Sequence, residues 1–122
     1  MNDYEAILRA YELAGGDPTS LQFPEVGSLV VEKNRILSFH EVEGLIVEPE
    51  ETQRGIKAKI LVKKDFKIKN PVHLCFGVIP KEGLQEIIME IVLEDNSYVK
   101  LLALSLIHIS EPTRLLSISY AV

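Results

Sequence analysis

The chain has 122 residues, 47% of them hydrophobic and 25% charged, a balance that suits one small globular domain or a piece of a larger one and excludes a disordered segment. A net charge of −5 argues against a nonspecific nucleic-acid surface, which needs clustered Lys and Arg. One cysteine excludes an internal disulfide framework and fits a reducing compartment. The acidic start MNDYEAIL is no secretory leader and no apolar run spans a bilayer, so a soluble cytoplasmic protein is expected.

Residues 3–14 read as one helix, because Tyr4, Ile7, Leu8 and Tyr11 repeat at helical spacing and form a single apolar stripe. Asn2 with Glu5 makes a capping box, Glu5 and Arg9 stand at i,i+4, and Gly15-Gly16 followed by Pro18 ends the helix. So short a helix needs a surface to pack on.

A linker through Pro24 precedes a strand-rich stretch. SLVVEKNRILSF reads as a hairpin turning at Lys33-Asn34, with Asn supplying tolerance of the left-handed conformation. GLIVEPEETQRG reads as a short strand followed by an acidic, solvated loop. In IKAKILVKKDFKIK, Ile56, Ala58 and Ile60 alternate with lysines, and the pattern shifts near Lys64-Asp65, which marks a turn or bulge. The lysines at 57, 59, 63, 64, 67 and 69 form a solvated basic face. PVHLCFGVI and LQEIIMEIVLEDNSYVKLLA add further short strands, the last two joined by a turn at Asp95-Asn96. Residues 1–24 are thus an N-terminal helix and linker, and residues 25–103 an all-β unit.

The final stretch, LSLIHISEPTRLLSISYAV (residues 104–122), has two apolar runs of strand length separated by Glu-Pro-Thr-Arg, a pattern that could make a hairpin. Its charges are only Glu111 and Arg114, and it is rich in serine. LSLIHISEPTR resembles the translation of a transposase library adapter, and ISYAV resembles the primer segment that follows its index. Leu115-Leu116-Ser117 fills the gap an index would leave. Residues 104–122 are therefore expected to derive from adapter DNA, with the biological sequence departing near Ala103.

Chemistry-bearing residues are few. His73 and Cys75 stand two apart on a strand and share a face, so they could supply half of a metal site that needs three or four ligands. Their neighbours Val72, Leu74 and Phe76 favour a buried thiol instead. His40, beside Glu41 and Glu43, could serve as a general base held by a carboxylate, but a loop histidine among acids is more often simply solvated. The acidic stretch EVEGLIVEPEE lacks the alternate Asp/Asn ligands of a calcium loop. Phosphate-binding loops, paired CxxC motifs and nucleophile elbows are absent, and no catalytic residue is assigned.

The segments RILSFHEVEGLIVEPEET, KKDFKIKNPVHLCFGVIPKEGLQEI and IVLEDNSYVKLLA resemble the early core of the SufB/SufD family, the scaffold proteins of iron–sulfur cluster assembly. The likeness includes Val72-His73-Leu74 and Leu93-Glu94-Asp95. It implies a mainly β fold beginning a right-handed β-helix core. It also implies a scaffold, not an enzyme, acting with a SufC-like ABC ATPase and a second SufB/SufD-like subunit. The iron–sulfur cluster belongs to the full-length complex; no cofactor, metal or cluster ligand is carried onto this chain, and neither nucleic acid nor membrane is an expected partner. The rival reading is a small self-contained β-rich ligand-binding or metal-dependent enzyme domain in which His40, His73 and Cys75 converge.

Overall fold

The computed structural model describes residues 2–13, 17–78, 85–107 and 111–121. Helix α1 spans Asp3–Leu13. Asn2 caps it, its side-chain oxygen accepting from the Glu5 amide at 2.8 Å, as the capping box requires. The Glu5–Arg9 pair does not form: the ion pairs among the described residues join Arg35 to Asp3 and to Glu32. The Gly15-Gly16 cap lies outside the described residues, as does His108. In place of an irregular linker, Pro18–Gln22 makes a short 3-10 helix. Its cap is Asp17, and Pro18 at the first turn gives up no amide that the turn needs.

Eight strands follow among the described residues. Strand β1 (Ser28–Glu32) and β2 (Arg35–His40) form the expected hairpin. The residue at positive φ in its turn is Lys33 (φ 51), not Asn34, whose side-chain amide instead donates to the Thr52 carbonyl at 3.0 Å. Strand β3 (Leu45–Glu51) pairs antiparallel with β4 (Gly55–Val62). The acidic loop expected after Val47 is therefore strand through Glu51. Pro49 is tolerated there because β3 lies at the edge of its sheet, where a missing amide breaks no ladder. Opposite charges also face across the pair, Glu48 on Lys59 and Glu50 on Lys57.

From β4 to β7 the chain alternates between two sheets. Strands β5 (Val72–Val78) and β7 (Tyr98–Ile107) join β1 and β2. Strand β6 (Glu86–Leu93) joins β4 and β3. Strands β4 and β5 each pair in parallel with the one two elements on: Ile56 with Ile87, and Val72 with Leu101. The intervening turns stack as well. Asp65 and Asn96 both take positive φ, the Asn96 amide donates to the Asp65 carboxylate at 3.0 Å, and Lys67 donates to Asn96 at 3.1 Å. This is the shift the sequence shows at Lys64-Asp65 and the turn at Asp95-Asn96.

Strand β8 (Glu111–Ala121) lies antiparallel to β7 and closes the order β2-β1-β5-β7-β8, but Glu111–Arg114, expected as the turn between the two apolar runs, is instead the start of β8, with Pro112 in register with Leu106 on this edge strand. The right-handed β-helix implied by the family resemblance is not what these sheets display. The described strands form two open, mixed sheets of five and three strands, and antiparallel pairs at β1–β2, β3–β4 and β7–β8 interrupt parallel stacking. The chain is mainly β with one α-helix among the described residues.

Two apolar clusters result. Leu29, Leu74 and Phe76 of the five-stranded sheet meet Val47, Ile56 and Ile60 of the other. On the opposite face, Ile7, Ala10 and Tyr11 of α1 cover Val30, Cys75 and Leu104. The middle of the five-stranded sheet is thus covered on both sides, and every residue of β1 and β5 is buried.

Gly44 sits at φ +83, and a Cβ there would overlap the Phe66 ring. Gly44→Ala should therefore cost more than about 1 kcal/mol and lower the thermal midpoint by several degrees. An unchanged midpoint in a calorimetric scan would show that the turn repacks freely.

Candidate functional site

Strand alternation puts His73 and Cys75 on the face of β5 that α1 covers, as their spacing requires. One helical turn beyond Ile7, Tyr11 reaches the same place. Its hydroxyl lies 2.6 Å from His73 Nδ1, and the two rings meet edge to face with centroids 6.1 Å apart. In the neutral imidazole that carries its proton on Nε2, the Tyr11 hydroxyl donates to Nδ1. Burial lowers His73 from its ordinary basicity, and the charge of Asp17 opposes that shift more weakly. Asp17 is itself held below the usual carboxylate range, first by the Thr19 hydroxyl at 2.6 Å and then by the Thr19 amide at 3.0 Å.

Cys75 is fully buried, and burial pushes its thiol up to about 12. At neutral pH it is a thiol and not a thiolate, so it neither attacks nor ligates readily. This is the apolar core cysteine that its neighbours suggest.

His40 stands elsewhere. It ends β2, is exposed, and its Nε2 lies 2.7 Å from the Pro24 carbonyl, to which it donates. The adjacent Glu41 carboxylate accepts from the Val47 amide at 2.9 Å, so it is engaged with the backbone and does not orient the imidazole. A cleft of about 530 Å³ opens beside His40, with Glu41, Glu43, Phe66, Lys67 and Lys69 along it. Its two walls carry opposite charge, and Lys67 is already tied to Asn96. The lysines at 57, 63, 64, 67 and 69 are exposed and Lys59 is half-buried, so they lie along a wet surface.

The three residues of the rival reading do not converge. His40 and His73 both stand in register with Ser28, one on each side of β1, which separates their backbones by two strand spacings, roughly 10 Å. Among the described residues no group of three His, Cys, Asp or Glu side chains is arranged to hold a metal ion. No helix among them is long and apolar enough to cross a membrane.

Sequence reasoning identified His73 but not its partner. Tyr11 counted only as part of an apolar stripe, although a hydroxyl in the middle of a buried stripe must find a partner. Asp17 was also legible: Asp-Pro-Thr is a cap followed by proline at a helix start. Glu32, buried beside the hairpin turn, is held by Arg35 through Nε at 3.3 Å and Nη2 at 2.9 Å, and the same guanidinium pairs with Asp3 of α1.

Tyr11→Phe leaves the buried His73 Nδ1 without the hydroxyl and should cost on the order of 1–3 kcal/mol in a denaturant titration. Cys75→Ser should cost a similar amount, about 1–3 kcal/mol, by placing a poorly paired hydroxyl in an apolar cluster. A Cys75→Ser protein as stable as the parent would contradict the core assignment.

No protein-family model and no solved structure matches the chain. Two proteins are similar to it. One is an iron–sulfur cluster assembly SufBD family protein of Methanocaldococcus jannaschii, 35% identical over 97 residues, which are 80% of this chain and 31% of that protein. The other, from Pyrococcus horikoshii and of the same description, is 33% identical over 100 residues, 82% of this chain and 30% of its own length. The chain thus spans about a third of the relatives it matches. The strand-and-turn resemblance read from residues 28–103 and these two alignments agree, and the chain belongs to the SufBD family.

Proposed function

We propose that this chain is the early portion of a scaffold subunit of iron–sulfur cluster assembly, acting with a SufC-like ABC ATPase and a second SufB/SufD-like subunit in the cytoplasm. The observation that carries the reading is the similarity, over about four fifths of the chain, to two proteins described as serving that assembly. The cluster is the cargo of the process. Holding one takes several thiolates or imidazoles, and this chain has one cysteine, whose thiol is buried and protonated. His73 is already engaged by Tyr11. The ligands therefore lie in the remainder of the parent, and the part described here builds the framework. Its parallel pairs β4–β6 and β5–β7, with their stacked turns, are the start of a coil that further strands of the parent would continue. The role is that of a scaffold and not of an enzyme.

Extended to the length of its relatives, the protein should co-purify with the ABC ATPase and acquire cluster absorbance on anaerobic reconstitution. The 122-residue chain alone should remain colourless and bind no stoichiometric iron. Iron bound tightly by this chain alone would overturn the assignment. Residues 104–122 enter the same proposal as adapter-derived sequence. Amplifying the locus from unfragmented DNA should give a reading frame that departs at about Leu104, and genomic codons for LSLIHISEPTR would refute that origin.

A further inference from the structure

One face of the five-stranded sheet is sealed by α1, and a polar contact lies within the seal. His73 is only 9% exposed. Around it stand Tyr11 from α1, Asp17 from the segment entering the 3-10 helix, Ser28 in register on β1, Leu102 in register on β7, and Cys75 two residues along its own strand. His40 lies in the same row, one strand beyond Ser28. Among the described residues, Asp17 is the charged group whose field acts on the imidazole.

We propose that Tyr11 and His73 form a proton-operated latch: with His73 neutral, α1 is closed on the sheet, and a proton taken up by His73 releases the helix and bares the face that carries Val30 and Cys75. The neutral ring accepts the tyrosine hydroxyl at Nδ1. Once both ring nitrogens carry protons, Nδ1 must donate, so the hydroxyl has to turn and the bond reverses. The larger effect is hydration. An imidazolium needs water that the closed helix excludes, and α1 is the layer between it and solvent. Asp17 attracts the cation, but it is exposed and water screens it, and burial outweighs it.

The sign follows from linkage. In the closed state His73 sits below its ordinary 6.5, so the open state binds the proton more readily. Closure is fully favoured above about 6.5 and weakens as pH falls toward and through the lower closed-state value. Beneath α1 the sheets have their own ladders and their own core against each other, so the helix can leave without them.

Cys75 is the reporter, being the chain's one cysteine and buried under α1. Its labelling by 4,4′-dithiodipyridine, normalised to glutathione at each pH, is measured on the 122-residue chain between about pH 7.5 and pH 5. We expect a rise of up to about tenfold per pH unit over the lower part of that range, because opening takes up one proton. Far-UV circular dichroism should keep its strand signal. His73→Gln, uncharged at every pH, should label at a flat rate, whereas Asp3→Asn, which removes the exposed tie to Arg35, should keep the acid response. Equal labelling at both ends of the range in the parent chain, or an acid response retained in His73→Gln, would overturn the latch. Should His73→Gln not fold, amide exchange of the parent chain decides. Exchange that quickens in α1 but not in β4 and β5 supports the latch, and exchange that quickens equally in all three refutes it.

Discussion

The fold depends on the middle of the five-stranded sheet being covered on both faces. β1 and β5 expose no residue, so the second sheet must seat its apolar row on one side while α1 seats Ile7, Ala10 and Tyr11 on the other. Full burial of a side chain such as Ile7 is worth about 1.5–3 kcal/mol, and a helix this short would not persist without it. The same coverage constrains chemistry. Any polar group on the covered strands must be satisfied within the protein, and His73 and Glu32 are, by Tyr11 and Arg35. No buried side-chain polar atom among the described residues lacks a partner.

Much of this was legible locally. Alternation in IKAKILV placed Ile56, Ala58 and Ile60 on a buried face, and all three are buried. The break at Lys64-Asp65 and the turn at Asp95-Asn96 are where the backbone takes positive φ. The spacing of His73 and Cys75 gave their common face. What alternation could not give was the partner of each strand. Period two fixes which side chains point together, but the choice of sheet depends on long-range pairing. Hence β6 and β7, neighbours in sequence, lie in different sheets, each beside a strand two elements earlier. The contact between Tyr11 and His73 crosses 62 positions for the same reason. Lys33 in place of Asn34 at the left-handed position, and strand in place of loop at Glu48–Glu51, are cases where pairing overrode local propensity.

The candidate site was legible in its negative half. A histidine and a cysteine two apart within an apolar run suggest a core before they suggest a ligand pair, and here the thiol is buried and the imidazole occupied. His40 shows the limit of sequence neighbours as evidence. Glu41 follows it directly, yet along a strand adjacent side chains diverge, and Glu41 bonds to Val47 while His40 bonds to Pro24. Family membership therefore rests on similarity along the whole stretch, and no single residue carries it.

The two kinds of contact in this chain divide its stability unevenly. Strands are joined by continuous ladders and by a shared core whose buried members come from five of the eight described strands. Helix α1 has no ladder. Beyond its apolar stripe it is tied near its start by Asp3 to Arg35 and toward its end by Tyr11 to His73. The first tie is more than half exposed at Arg35, where an ion pair contributes little. The second is buried, where a hydrogen bond keeps its strength and an unpaired partner is costly. The helix is consequently the element whose attachment rests most on one polar pair, and that pair contains His73, a buried group able to change charge near neutral pH. Closure of the helix-covered face and protonation of His73 are for that reason linked equilibria, while the two sheets behind it are held chiefly by their ladders and a shared apolar core.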